Sequence, residues 1–448
     1  MSALRRIRDD LAHEWAPTLR LAGPVALGQV GLMLMGIVDT LFVGPLGGVA
    51  LGSIGVAVAV YSLALLVGIG TLLGLDRVAA VAHGAGRREE INLAYNQGLL
   101  LAVTVSVPLI AVLQLAAGHL ARAGIDPSLV PGASAALRVL SWSLLPTLLF
   151  QAARQTLQAL HDTRAAALIT IAANVVNAVA NYALVYGHLG APRMGIVGSA
   201  WATNLARLFM AVLVLAWSAR QGLRFAPGFH SATMRELLRL GIPASVQLFF
   251  EGGVFSLSTV LMARFGASAA AAHQVVMQIA SFTFMVPLGV SIAGAVRVGN
   301  ALGRDDPDAA RRAGSSAVTL AAVFMVFSGV ALLLGATAIS QGFHLDPESA
   351  GLARRFLVCA AFFQLFDGMQ ISLSGVLRGT GDTVASMVAN LVGHWGVGLP
   401  VGCLLAFSFG LRGVGLWLGL AAGLFAVAMT LLVVWRRRIR ELAEREAG

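Results

Sequence analysis

Three carboxylic acids, Asp39, Glu251 and Asp367, lie inside long apolar runs of this 448-residue chain. A carboxylate at the centre of a membrane-length helix costs about 2.5–3.5 kcal/mol on insertion scales, so three unrelieved acids would cost roughly 7–10 kcal/mol. Each must therefore face protein or a water-filled cavity rather than lipid. Asp367 stands near the middle of FLVCAAFFQLFDGMQISLSGVLR, residues 356–378, where Gln364, Gln370 and Ser374 join it at helical spacing to form one polar stripe. Glu251 lies about twelve residues into its own run, roughly 18 Å at 1.5 Å per residue, a depth similar to that of Asp367. Two carboxylates in a low-dielectric pocket cannot both stay ionised unless a cation joins them; otherwise one takes a proton. That is the chemistry of a sodium or proton site, with Gln247, Gln274, Gln278 and Asn390 as candidate supplementary oxygens for a hard cation. Asp39 lies toward the outer end of the first apolar run, where it could bind a cationic substrate, take part in proton coupling or cap the next helix. Asn174, Asn177 and Asn181 form an i, i+3, i+7 stripe in the same half of the chain, a pattern that serves helix-to-helix bonding or a ligand.

The elements that must hold these groups follow from composition. The chain is 58% hydrophobic and 12% charged, against about 25% charged for a soluble domain, and is read as an integral membrane protein. Apolar runs of about 20 residues, enough to cross roughly 30 Å of hydrocarbon, occur twelve times between residues 17 and 435. The fold class expected is all-α, with twelve transmembrane helices. All 31 basic residues are arginine, and most fall on one side if both termini are cytoplasmic, which orients the protein in the cytoplasmic (inner) membrane. The net charge of +10 belongs to this topology, since the arginines neither gather in one domain nor interleave with aromatics, and no nucleic-acid partner is expected. Residues 1–15 carry Leu4, Ile7 and Leu11 on one face and read as a short interfacial helix. Cys359 and Cys403 each lie in an apolar run, so no structural disulfide is expected. His273 and His394 are isolated and no metal role is expected of them. Without a zinc-protease, phosphate-loop or nucleophile-elbow motif, an enzyme is disfavoured, and no cofactor beyond a coupling sodium ion or proton is called for.

The chain repeats itself. LRLAGP at 19–24 matches LRLGIP at 238–243, VAHGAGRREE at 81–90 matches VGNALGRDDP at 298–307, and LQALHDT at 157–163 matches LRGTGDT at 377–383, each at an offset of about 220 residues. The expected division is a cytoplasmic tail (1–16), a six-helix bundle (17–219), a cytoplasmic linker (220–238), a second six-helix bundle (239–435) and a cytoplasmic tail (436–448). Six is even, so the halves are related by an axis along the membrane normal, a parallel repeat whose cleft suits alternating access. The repeat equivalents of Glu251 and Asp367 are about Leu32 and Thr147, so only the second half carries the acid pair. Pro24 and Pro243 occupy equivalent places and would bend the first and seventh helices.

In order along the chain, VDTLFVGPLG, VAHGAGR, FFEGGVF, MVPLGVSIAGAVRVGNALGR and FDGMQISLSGVLRGTGDT resemble landmarks of the multidrug and toxic compound extrusion (MATE) family, particularly its NorM-like branch. The resemblance implies a twelve-helix, two-bundle transporter that exports organic, often cationic, compounds in exchange for sodium or protons. It also implies Asp39, Glu251 and Asp367 as the functional membrane acids, the last two matching the cation site of NorM-like members. The DinF-like branch has an additional Asp in the fifth span, where this chain has its asparagines, which argues against that branch. Pro45 and the Asp76–Arg77 pair depart from the family pattern and bear on substrate range. A small organic cation and membrane lipid are the expected partners, and a monomer the expected state. A flippase for a lipid-linked saccharide or other amphiphile is the alternative; its anionic headgroup would call for cavity arginines, for which Arg207 is the mid-span candidate. A receptor or scaffold would leave the buried acids without a purpose.

Overall fold

The computed structural model describes residues 2–226, 228–343 and 345–447, with side chains described between residues 14 and 441. The face carrying Leu4, Ile7 and Leu11 thus lies outside the described side chains. Twelve helices are long and apolar enough to cross a membrane: α1 (Glu14–Leu46), α2 (Gly48–Gly84), α3 (Arg88–Ala123), α4 (Val130–Ala159), α5 (Arg164–Tyr186), α6 (Ile196–Arg220), α7 (Ser231–Ala263), α8 (Ala267–Gly303), α9 (Pro307–Gly342), α10 (Pro347–Thr380), α11 (Val384–Ser408) and α12 (Arg412–Glu441). They match the twelve apolar runs, and among the described residues there is no strand. This is an all-α integral membrane protein.

Helix starts are specified locally. Asp306 caps α9 by accepting from the Ala309 amide, and Asp346 caps α10 by accepting from Glu348 and Ser349, each followed by a proline at the first helical position. Hydrogen bonds from Ser349, with Glu348 adding a smaller part, hold the Asp346 carboxyl below the usual aspartate range. A lowered value means that the cap contributes above the ordinary aspartate range and is lost as pH falls through the lowered one. Protection of the Glu348 and Ser349 amides, relative to their intrinsic exchange rate at each pH, is therefore expected to fall on acidification, and in Asp346→Ala to be lost already at neutral pH. Exchange unchanged by the substitution would refute the cap.

The chain divides into two compact units, one of Leu27–Ser245 and the other of the start of α1 up to Ala26 together with Val246 onward. Both divisions fall inside helices, α1 and α7, a few residues after Pro24 and Pro243. In the first unit, Arg77 of α2 holds Glu236 of α7 at 2.8 Å. A Cβ built on Gly241 would lie 1.9 Å from the Thr71 carbonyl oxygen, so only glycine allows that approach. In the second unit, Arg297 of α8 donates to the Glu14 carboxylate and to the Thr18 hydroxyl, while Gly289 packs against Ala22. The sequence expectation kept α1 and α7 whole, each within its own bundle.

The connection from α6 to α7 is fastened to α3 by side-chain amides. Asn96 donates to the Arg224 carbonyl at 2.9 Å and accepts from the Ala226 amide, and Gln97 donates to the Gly228 carbonyl at 2.7 Å and accepts from the His230 amide. Arg88 adds a bond to the Gln221 carbonyl.

The second unit contains two further features that bear on the site. Trp417, fully buried, packs on Phe356, Phe363 and His273. Helix α11 widens to π geometry at Val392–Gly398 and again at Leu404–Ser408. It packs on the Gly415, Gly419, Gly423 stripe of α12, where small residues let two backbones approach closely.

Candidate functional site

Antiparallel packing of α7 and α10 brings the acids of the second unit together. Residues one turn apart on α7, Gln247 and Glu251, meet residues one turn apart on α10, Ser374 and Gln370, each at 3.5 Å. Gln370 also donates to Asn390 of α11 at 2.9 Å, and Asn390 in turn donates to the Ser386 carbonyl. Glu251 is 9% exposed and Asp367 6%, and the two lie within electrostatic reach of one another. Asp367 makes no side-chain hydrogen bond among the described residues, so its negative charge in this low-dielectric setting must be met by a proton or a cation. The oxygens of Glu251, Asp367, Asn390 and Gln370 are the donor set that a hard monovalent cation takes.

Not every candidate joins this cluster. Gln364 turns to α8, donating to the Thr283 hydroxyl at 2.9 Å. Gln274 and Gln278 lie on the exposed side of α8 and are not brought to the acids within the unit.

Asp39 anchors a second polar cluster, within the first unit. One carboxylate oxygen accepts from Asn177 at 2.9 Å and Asn181 at 2.8 Å; the other accepts from Thr203 at 2.7 Å. Asn174 donates to the Gly31 carbonyl, and Tyr186 to the Phe42 carbonyl. The asparagine stripe therefore grips α1 along its length, and does so partly through the acid itself. Arg207 donates to the Ser143 hydroxyl at 2.6 Å and to the Tyr61 hydroxyl, its guanidinium 4.8 Å from the Tyr61 ring centroid and its charge acting on Asp39.

In the sequence, Asp76 adjoins Arg77 near the end of the second apolar run. In the folded unit Asp76 is 1% exposed and its charge acts on the equally buried Arg154 of α4, while Arg77 turns away to Glu236. Arg154 donates to Gln151 at 2.6 Å and to Gln29 of α1 at 3.2 Å. A buried arginine and a buried aspartate could each have been flagged by sequence, but their pairing depends on how α2 packs on α4. Thr203 gave no such signal, being one hydroxyl in an apolar run.

The family model described as MatE matches residues 24–183 and 243–404, two blocks that begin at the prolines aligned by the internal repeat. The chain is 38% identical over 442 residues to a probable multidrug resistance protein NorM of Mesorhizobium japonicum, spanning 96% of this chain and 95% of that one. It is 36% identical over 443 residues to the multidrug resistance protein NorM of Burkholderia vietnamiensis, with 96% and 95% covered. Among solved structures, the eukaryotic MATE transporter AtDTX14 matches with a TM-score of 0.86 at 22% identity, covering 97% of this chain and 99% of that one. A variant of a Vibrio cholerae MATE transporter matches with a TM-score of 0.88 at 18% identity, covering 97% and 98%. These last two likenesses speak for the fold.

Proposed function

The chain belongs to the MatE family, and on that premise we propose that it is a cation-coupled antiporter that exports organic, chiefly cationic, compounds across the cytoplasmic membrane. The family is one of transporters rather than enzymes. Efflux of several drug-like substrates is supported by the multidrug-resistance names of the NorM relatives. The observation that carries the coupling is the pair of buried carboxylates in the second unit, Glu251 bonded into the Gln370–Asn390 network and Asp367 within electrostatic reach of it.

An entering sodium ion or proton binds this pair, favours one facing of the transporter and lowers substrate affinity there; one charge moved through 100 mV is worth about 2.3 kcal/mol. Asp39, held by Asn177, Asn181 and Thr203, serves the organic cation or a second proton in the first unit. Both termini face the cytoplasm, and the protein acts as a monomer.

Proteoliposomes loaded with a fluorescent organic cation, placed under a sodium gradient or a pH gradient in turn, test this reading. Efflux is expected under one gradient and to be lost in Asp367→Asn. Silence under both gradients, with folded protein, would overturn it and turn attention to lipid translocation.

A further inference from the structure

Four residues of α7 spaced one turn apart, Gln247, Glu251, Phe255 and Thr259, share one face. Beyond the two that meet Ser374 and Gln370, Phe255 packs edge-on against His394 with ring centroids 6.1 Å apart, and Thr259 meets His273 at 3.1 Å. Helix α11 keeps step with α7, for Asn390 stands beside the Glu251 network and His394 follows one turn later. His394 is thus the next rung after Glu251 on both helices.

His394 is 1% exposed, and neither ring nitrogen has a hydrogen-bond partner among the described residues. A neutral imidazole carries one N–H donor and one bare acceptor, and burying both without partners is a cost that packing against Phe255 does not require. The ring also sits in the π-helical turn Val392–Gly398, a widening that occurs frequently at functional sites. Its neighbour Trp395 donates to the Phe250 carbonyl at 3.1 Å, clamping that turn to the residue preceding Glu251.

We propose that His394 is a proton-transfer residue that feeds Glu251 from the outer side of the membrane. The inference rests on Glu251 as a coupling group and on cytoplasmic termini. One ring nitrogen accepts the incoming proton, the other releases its own to the Glu251 carboxylate, and the imidazole returns to neutrality in its opposite tautomer. Along the helix axis His394 lies one turn, about 5.4 Å, beyond Asn390 of the Glu251 network, so the proton passes between the two side chains through bridging water. His273, a turn further along α7 at Thr259, continues the line outward. The charged or histidine side chains in the membrane-central parts of the surrounding helices are Glu251 on α7, Asp367 on α10 and His273 on α8; α12 has none between Arg412 and Arg436, and the cysteines Cys359 on α10 and Cys403 on α11 are the further titratable groups. Imidazole nitrogen is a poor ligand for a hard cation such as sodium, so this arrangement favours the proton as coupling ion.

The test uses the full chain in proteoliposomes under an imposed pH gradient, with a fluorescent organic cation inside. His394→Phe keeps a ring against Phe255 and removes both nitrogens; His394→Gln keeps hydrogen bonding without proton transfer. Both are expected to slow efflux by about a hundredfold and to flatten its pH profile between about pH 5 and 8, with equilibrium binding of the cation within about twofold of native. Native rate and profile in His394→Phe, beside a Glu251→Gln variant that has lost coupling, would overturn the relay and leave the coupling site standing. Native efflux in both would overturn both, and efflux driven by sodium alone would overturn the relay. If neither histidine variant folds, ring nitrogen NMR of the native protein decides: tautomer exchange supports the relay, and one fixed tautomer across that pH range overturns it.

Discussion

Gradient-driven efflux is expected to fall by about a hundredfold or more in Glu251→Gln, while equilibrium binding of the organic cation changes little. The substitution preserves side-chain length and the ability to bond Gln370, but it removes the charge and the exchangeable proton. A gradient of 100 mV contributes about 2.3 kcal/mol per coupled charge, close to a fiftyfold bias in the facing equilibrium, and a neutral amide forfeits that bias. Glu251→Asp, which withdraws the carboxylate by one methylene, should retain measurable coupling, because the chemistry survives and only the distance to Gln370 grows. Initial efflux rates under matched gradients, normalised to inserted protein, provide the measurement. Gradient-dependent rates within twofold of native in Glu251→Gln would remove Glu251 from the coupling site.

Gly419→Val is expected to prevent recovery of folded protein, and Gly419→Ala to lower Tm strongly. A Cβ at Gly419 would stand 2.2 Å from the Gly402 Cα and 2.4 Å from its nitrogen, so the obstacle is backbone and no rotamer change relieves it. Overpacking typically costs about 1–3 kcal/mol, and a backbone-to-backbone clash belongs at or above that upper end, against a total stability of about 5–15 kcal/mol. Gly118→Ala is the control: a Cβ there meets nothing within 4 Å, and helix propensity should make the change neutral or favourable. Thermal unfolding in detergent distinguishes the cases. Equal Tm values for the two alanine variants would refute close packing at Gly419.

Much of this architecture could be read before any coordinates. An apolar run of membrane length satisfies its backbone internally wherever it sits, so twelve spans follow from composition, and the acids inside them announce themselves by their cost. What escaped reading was orientation around each helix. Gln274 and Gln278 carry the same oxygens as Gln370, yet α8 turns them away, and in a helix apolar on nearly every side no polar face declares which way it points. His394 was hidden for a related reason. Its buried face is set by the neighbours that α11 meets in the fold, and the π turn that begins at Val392 carries no distinct sequence mark. The pairing of Asp76 with Arg154 was not legible either, because the two are 78 positions apart in the chain and adjacent only after α2 packs on α4.

The docking of α1 also sets an order of events at the ribosome. Glu14 meets Arg297 across 283 residues of chain, and at about 5–20 residues per second that interval lasts from roughly fifteen seconds to a minute. Through all of it the opening turns of the first helix have been made and their partners have not. That segment stays undocked meanwhile, and a nascent chain arrested before α8 should carry an N-terminal end that proteases can still reach.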